Sequence, residues 1–96
     1  MFSFIQKKLN LKMARAAAMD DLPKAKKLVE LGASGDSTDE EGNSARIIAL
    51  SVENYEIYNL LNNIKKYLWQ EIEKAREEGN FRRVKKLKKR LEQEII

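Results

Sequence analysis

The chain of 96 residues contains no cysteine and no histidine. That pair of absences removes disulfides, thiol nucleophiles, imidazole acid–base chemistry and the usual soft-metal ligands together. Apolar runs are also short. Nothing approaches the ~20 consecutive apolar residues of a membrane helix, and the stretch from Met1 to Ile5 is too short and too early for a secretory signal. The expectation is a soluble, intracellular and cytoplasmic protein. No glycine loop is followed by the Lys-Ser/Thr of a phosphate cradle. The pairs Asp20-Asp21 and Glu40-Glu41 are sequence neighbours, which turns each pair of carboxylates apart instead of across a cleft. Asp36, Asp39, Glu40 and Glu41 lack the alternation and closing glutamate of a calcium loop. No catalytic residue, metal site or cofactor is therefore expected. A single proline and three glutamines beside frequent Lys and Glu suit a heat-adapted or engineered chain as well as an ordinary one.

Hydrophobic residues make up 43% of the chain and charged residues 35%. That balance is globular and charge-rich. A chain of this size forms one domain and buries about 60–65% of its unfolded surface, so the core is modest.

Three segments fall into register on an alanine: Ala16, Ala49 and Ala75. Six residues on come Leu22, Tyr55 and Phe81, then Ala25, Tyr58 and Val84, then Leu28, Leu61 and Leu87. Steps of three put these residues on one face of a helix that begins at about the sixth position. Between the alanine and that helix lie Asp20-Asp21, Glu53-Asn54 and Gly79-Asn80. Asp21, Asn54 and Asn80 are placed to accept the unpaired amide hydrogens of the helix that follows, and Pro23 fits a first helical turn. Three helix-turn-helix units are predicted. A 33-residue step separates Ala16 from Ala49, the period of a stacked helical repeat.

From Leu31 to Asn43 the helical period stops and turn formers cluster. Gly32 is suited to end a helix in the left-handed conformation, Gly42 to relieve a second tight turn, and Ser44 to cap the next helix. This segment should project as a loop. Ala49 and Ala75 are only 26 residues apart, so no such loop separates the second and third units. The apolar spacing Ile57, Leu61, Ile64, Leu68, Ile72 runs straight through Asn62-Asn63. Either one helix extends from about Tyr55 to Glu78 or the two asparagines break it; a break is favoured, because two poor helix formers adjoin there.

Gly32-Ala33, Asp39, Gly42 and Ser44, followed by Ala49 and by apolar Tyr55, Ile57, Tyr58, Leu60 and Leu61, resemble the ankyrin repeat over residues 11–63. Departures are Ser44-Ala45-Arg46-Ile47 where the family has Thr-Pro-Leu-His, and Asp20 and Glu53 where it has a turn glycine. The resemblance implies a non-enzymatic module that engages another protein through its loop tips and inner helices. Its contact positions would be Ser34, Asp36, Ser37, Thr38, Glu40, Glu41 and Asn43 in the loop, with Arg46 on the inner helix. Their acidity implies a basic patch on the partner.

Charge is lopsided along the chain. Residues 65–96 carry 11 basic and 6 acidic side chains, against 8 and 9 in residues 1–64. Seven of the cations, Arg82, Arg83, Lys85, Lys86, Lys88, Lys89 and Arg90, fall within nine positions without an acid. Phe81, Val84, Leu87, Leu91 and Ile95 form the apolar stripe of an amphipathic helix that turns the cations outward. Such a face suits phosphates, an acidic protein groove or, least, an anionic membrane, and equally suits the solvated outer helix of a terminal repeat. The segment from Leu68 to Leu87 also resembles, distantly, the N-terminal hairpin of group II intron-type reverse transcriptases, which implies RNA contact. Trp69 and Tyr67 could stack on bases, but beside Leu68 and Ile72 they read as core or repeat-interface residues.

The combined expectation is an all-α chain, 1–96 as a single domain. It comprises a cap segment (1–10) in which Phe2, Ile5 and Leu9 cover the end of the stack, a short ankyrin-like helical-repeat solenoid (11–63) and a C-terminal basic helical hairpin (64–96). The expected function is protein binding as an adaptor, inhibitor or accessory subunit. A nucleic-acid-associated protein using residues 82–90 is the alternative, and an engineered repeat scaffold a third reading. A homo-oligomer stays open.

Overall fold

A computed structural model describes residues 2–95, with the side chains of Phe2, Ser3 and Ile95 outside the described residues. Six helices follow one another: α1 (Phe2–Ala18), α2 (Leu22–Leu31), α3 (Ala45–Ser51), α4 (Tyr55–Asn62), α5 (Ile64–Glu77) and α6 (Phe81–Ile95). Among the described residues there is no strand, only an isolated antiparallel bridge between Thr38 and Ser44. Where the sequence suggests one domain, the contacts group the chain into two compact units, Met1–Asn62 and Asn63–Ile96. The division falls where the helix breaks: α4 ends at Asn62, and Asn63 stands between it and α5 with φ −135° and ψ 44°, outside the helical basin.

Three turns repeat one backbone solution. Asp20, Glu53 and Gly79, each four residues after a register alanine, all have positive φ (54°, 61° and 72°). The amide of the next residue then reaches back to the alanine carbonyl: Asp21 to Ala16 at 3.0 Å, Asn54 to Ala49 at 2.8 Å and Asn80 to Ala75 at 2.9 Å. This is the six-to-one closure of a Schellman turn, which satisfies a carbonyl that the ending helix leaves unpaired. Ala16, Ala49 and Ala75 are all buried. The new helices begin at Leu22, Tyr55 and Phe81, as the alanine register predicts. Asp21 Oδ1 accepts from the Lys24 amide and Asn80 Oδ1 from the Arg83 amide, both at 3.2 Å. Asn54 departs from the expected capping role: its side-chain amide donates to the Ala17 carbonyl and ties α4 to α1.

In the first unit α1 packs on α2 and α3, α3 on α4, and α2 on α4. Small residues make this close approach possible, since Ala14, Ala16, Ala17, Ala25, Ala45 and Ala49 are buried and Met13, Val29 and Ile57 fill what remains. The cap segment is not a separate element. α1 runs unbroken from Phe2, because one intermediate helix former, Asn10, does not stop a helix and accepts a hydrogen bond from Gln6. Ile5 is 65% exposed and covers nothing, while Leu9 is half-buried near Gly32. Of the three residues expected to cover the end of the stack, Leu9 is half-buried, Ile5 is exposed, and the Phe2 side chain lies outside the described residues.

In the second unit α5 and α6 form an antiparallel hairpin. Leu68, Ile72 and Ala75 of α5 and Val84, Leu87 and Leu91 of α6 are buried along its seam. Phe81 leaves the predicted stripe: as the first residue of α6 it is 68% exposed.

Candidate functional site

Between α2 and α3 the chain makes a loop whose two ends are fixed by different chemistry. At its start Gly32 takes φ 120°, with its amide shared between the Leu28 and Val29 carbonyls. At its end Ser44 caps α3 by accepting from the Ile47 amide at 3.2 Å. The tip is organised by one carboxylate. Asp39 Oδ1 accepts from the Glu41 amide at 2.9 Å and the Asn43 amide at 2.8 Å, and Asp39 Oδ2 from the Asn43 side-chain amide at 3.3 Å. Donation by the Asn43 amide, above all, holds the Asp39 carboxyl below the ordinary aspartate range. Partial desolvation opposes this, and the Asn43 side chain and the Glu41 and Gly42 amides reinforce it.

The base of the loop is a second cluster. Ser37 is buried, its hydroxyl accepts from the Ser34 amide at 3.1 Å, and its carbonyl takes the Ala45 amide at 2.7 Å. Ser34 Oγ accepts from the Asp36 amide at 3.2 Å. Arg46 crosses this base: Nη1 meets Asp36 Oδ1 at 2.9 Å, and Nε donates to Asn62 Oδ1 at 2.6 Å. The guanidinium lies on Gly35, where a Cβ would come within 2.7 Å of Arg46 Cζ.

The residues expected to make contacts therefore separate. Ser37, expected as a contact position, is a buried staple that offers no surface, because its hydroxyl and carbonyl are taken up by the Ser34 and Ala45 amides. Ser34 is half-buried, and Asp36 and Arg46 are engaged with each other. Thr38, Glu40, Glu41 and Asn43 are exposed at the tip, with the Asn43 side chain bonded to Asp39.

Glu40 and Glu41 form one wall of an open groove of about 420 Å³, with Asp39 beside them. Leu11, Ala14, Arg15 and Ala18 of α1 line the other side, and Ile48 of α3 completes it. The α1 residues follow the spacing of one helical face, and alanine at positions 14 and 18 leaves the hollow open. These five residues were not picked out from sequence. The available signal was an alanine-rich face on α1 wider than the core needs. A smaller hollow of about 230 Å³ is lined by Lys12, Arg15, Ala16, Met19, Asp21 and Lys24.

The seven cations of α6 also divide. Arg83 pairs with Glu71 of α5 at 3.0 Å, and Arg90 is buried and pairs with Glu94 at 3.4 Å. Arg83 thus ties α6 to α5 and Arg90 pairs within α6, and both are withdrawn from the expected phosphate-binding set. Arg82, Lys85, Lys86, Lys88 and Lys89 are exposed. Trp69, read from its neighbours as a core residue, is 52% exposed, since it sits one position off the Leu68–Ile72 seam; Tyr67 is half-buried.

Among the described residues no group of acids could hold a metal ion, and no helix is long and apolar enough to cross a membrane. No protein-family model, curated protein or solved structure matches the chain.

Proposed function

We propose that residues 1–62 are an ankyrin-like pair of helical repeats that works by binding: it holds a segment of another protein in the groove between α1 and the loop tip. The 33-residue register supports the repeat reading, as do the packing of α1 on α3 and of α2 on α4 and the recurring turns. One observation carries the binding reading: a groove of about 420 Å³ with Leu11, Ala14, Ala18 and Ile48 as its apolar lining, Asp39, Glu40 and Glu41 on the loop side and Arg15 on the α1 side. An apolar floor gives a ligand area to bury, while a rim acidic on the loop side and basic at Arg15 selects orientation and partner. The segment that fits is short, apolar on one side and basic on the other. A chain without cysteine or histidine is also better equipped for recognition than for nucleophilic or imidazole catalysis.

The test is selection of peptides from a random library on the full chain. Selected peptides should combine Lys or Arg with apolar residues. Their affinity should fall about tenfold or more, roughly 1.4 kcal/mol, when Glu40 and Glu41 become Lys, and again when exposed Ala18 becomes Trp and fills the groove. Peptides that bind all these variants alike would remove the groove from consideration.

A further inference from the structure

The α5–α6 hairpin has two flanks, and the Arg83–Glu71 ion pair identifies one of them. At 100° per residue, Glu71 and Arg83 both lie counter to the chain's winding sense from the buried seam of their own helix. Their contact at 3.0 Å shows that residues turned that way on both helices share one flank. Residues turned the other way share the opposite flank. On α5 these are Lys65, Trp69 and Arg76; on α6 they are Phe81, Lys85 and Lys88. All six are exposed, with Trp69 at 52% and Phe81 at 68%. Four cations thus surround two large aromatic side chains, against two acids on the same flank, Glu73 and Glu92.

We propose that this flank binds single-stranded nucleic acid, with bases stacked on Trp69 and Phe81 and phosphates neutralised by Lys65, Arg76, Lys85 and Lys88. Aromatic faces interleaved with cations are the pattern that reads a strand without regard to sequence, because every base offers a π-face and every nucleotide a phosphate. A duplex keeps its base faces covered, so exposed aromatics of this kind suit an unpaired strand. Trp69 stands eight residues before the end of α5 and Phe81 opens α6, which separates the rings by ~12 Å along the hairpin. An anionic membrane is the poorer occupant. Binding there requires a continuous apolar face to insert, and that of α6, Val84, Leu87 and Leu91, is already buried in the hairpin.

Trp69 is the chain's one tryptophan, so stacking has its own signal. The full chain is titrated with a 12-mer of uridine, a 12-mer of thymidine and a duplex of equal length. Intrinsic fluorescence and the anisotropy of labelled strands are followed over a salt series. The expected result is quenching of Trp69 by either single strand, weaker binding of the duplex, and a log–log salt slope of about −3, the value for four phosphate contacts on a single strand. Uridine and thymidine arms of unequal affinity would assign RNA or DNA as the natural strand. Trp69→Leu and Phe81→Ala, both at exposed positions, should each weaken anisotropy-detected binding about fivefold or more. The double variant Lys85→Glu, Lys88→Glu should flatten the slope. The proposal is overturned by no binding, by a duplex bound as tightly as the strand, or by aromatic variants that bind like the parent. Poly-glutamate competing as well as the strand, or tighter capture by phosphatidylserine vesicles, would equally reassign the flank.

Discussion

Gly35 and Arg46 make the sharpest test of the loop's construction. Gly35 does not take a positive φ, so alanine fits its backbone; the obstacle is the guanidinium, 2.7 Å from where the new Cβ would sit at Cζ and 3.1 Å at Nε. A flexible side chain yields before a backbone does, so Gly35→Ala should expel Arg46 from its seat. The loss is then the Arg46 contacts. The ion pair with Asp36, whose side chain is 85% exposed, is worth under about 1 kcal/mol. The hydrogen bond to Asn62 adds about 0.5–1.5 kcal/mol. Alanine regains about 0.4–1 kcal/mol by restricting the unfolded chain, so Gly35→Ala should destabilise by about 1 kcal/mol. With Arg46→Ala already in place the three nearest obstacles to the new Cβ are gone, and only the unfolded-chain term, favouring folding by about 0.4–1 kcal/mol, is left. The sign reverses. Urea titrations of the four chains of this cycle give the coupling. Far-ultraviolet circular dichroism follows all the helices and Trp69 fluorescence reports from α5, so the two probes are fitted separately. Equal destabilisation in both backgrounds would refute the claim that the guanidinium occupies this space.

Two further outcomes follow from the turns and the loop tip. Glu53 holds a left-handed conformation that costs a non-glycine residue about 1–2 kcal/mol. Glu53→Gly should stabilise by about 0.5–1 kcal/mol after the added freedom of the unfolded chain is subtracted, and Gly79→Ala should destabilise by about 1 kcal/mol; thermal melts giving the opposite order would contradict this. The Asp39 carboxyl is held below its ordinary range in the folded chain. The stability it lends is present above the unfolded-state value and is lost as pH falls from about 4 through the lowered native value. Asp39→Asn should flatten that acid limb of a pH–stability curve, and an unchanged limb would show that other carboxylates set it.

What the sequence discloses here is local backbone chemistry. The starts of α2, α4 and α6, the capping by Asp21, Ser44 and Asn80, and the left-handed Gly32 and Gly42 follow from residues within a turn of each other. What escaped is set by neighbours distant in the chain. Ser37 is inside because Ala45 and Ser34 need its oxygens, and Asn54 turns from its own helix to Ala17 because that carbonyl lies within reach. The groove joins α1 to residues 39–41, which no single stretch of sequence juxtaposes. Trp69 shows how narrow the margin is: one step along α5 separates the seam from solvent, and adjacency to Leu68 and Ile72 gave the wrong side.

The three register alanines and the residues four places after them are constrained in different ways, one by volume and the other by backbone angle. Aspartate, glutamate and glycine all occur at the turn, because solvent surrounds it and the demand is a dihedral angle that glycine meets at least cost. At positions 16, 49 and 75 the side chain is a buried methyl group. The persistent signature of this chain is thus a rhythm of small volumes. Sequences sharing its architecture are better recognised by a small residue five places before each new helix's capping position than by the identity of the turn residue.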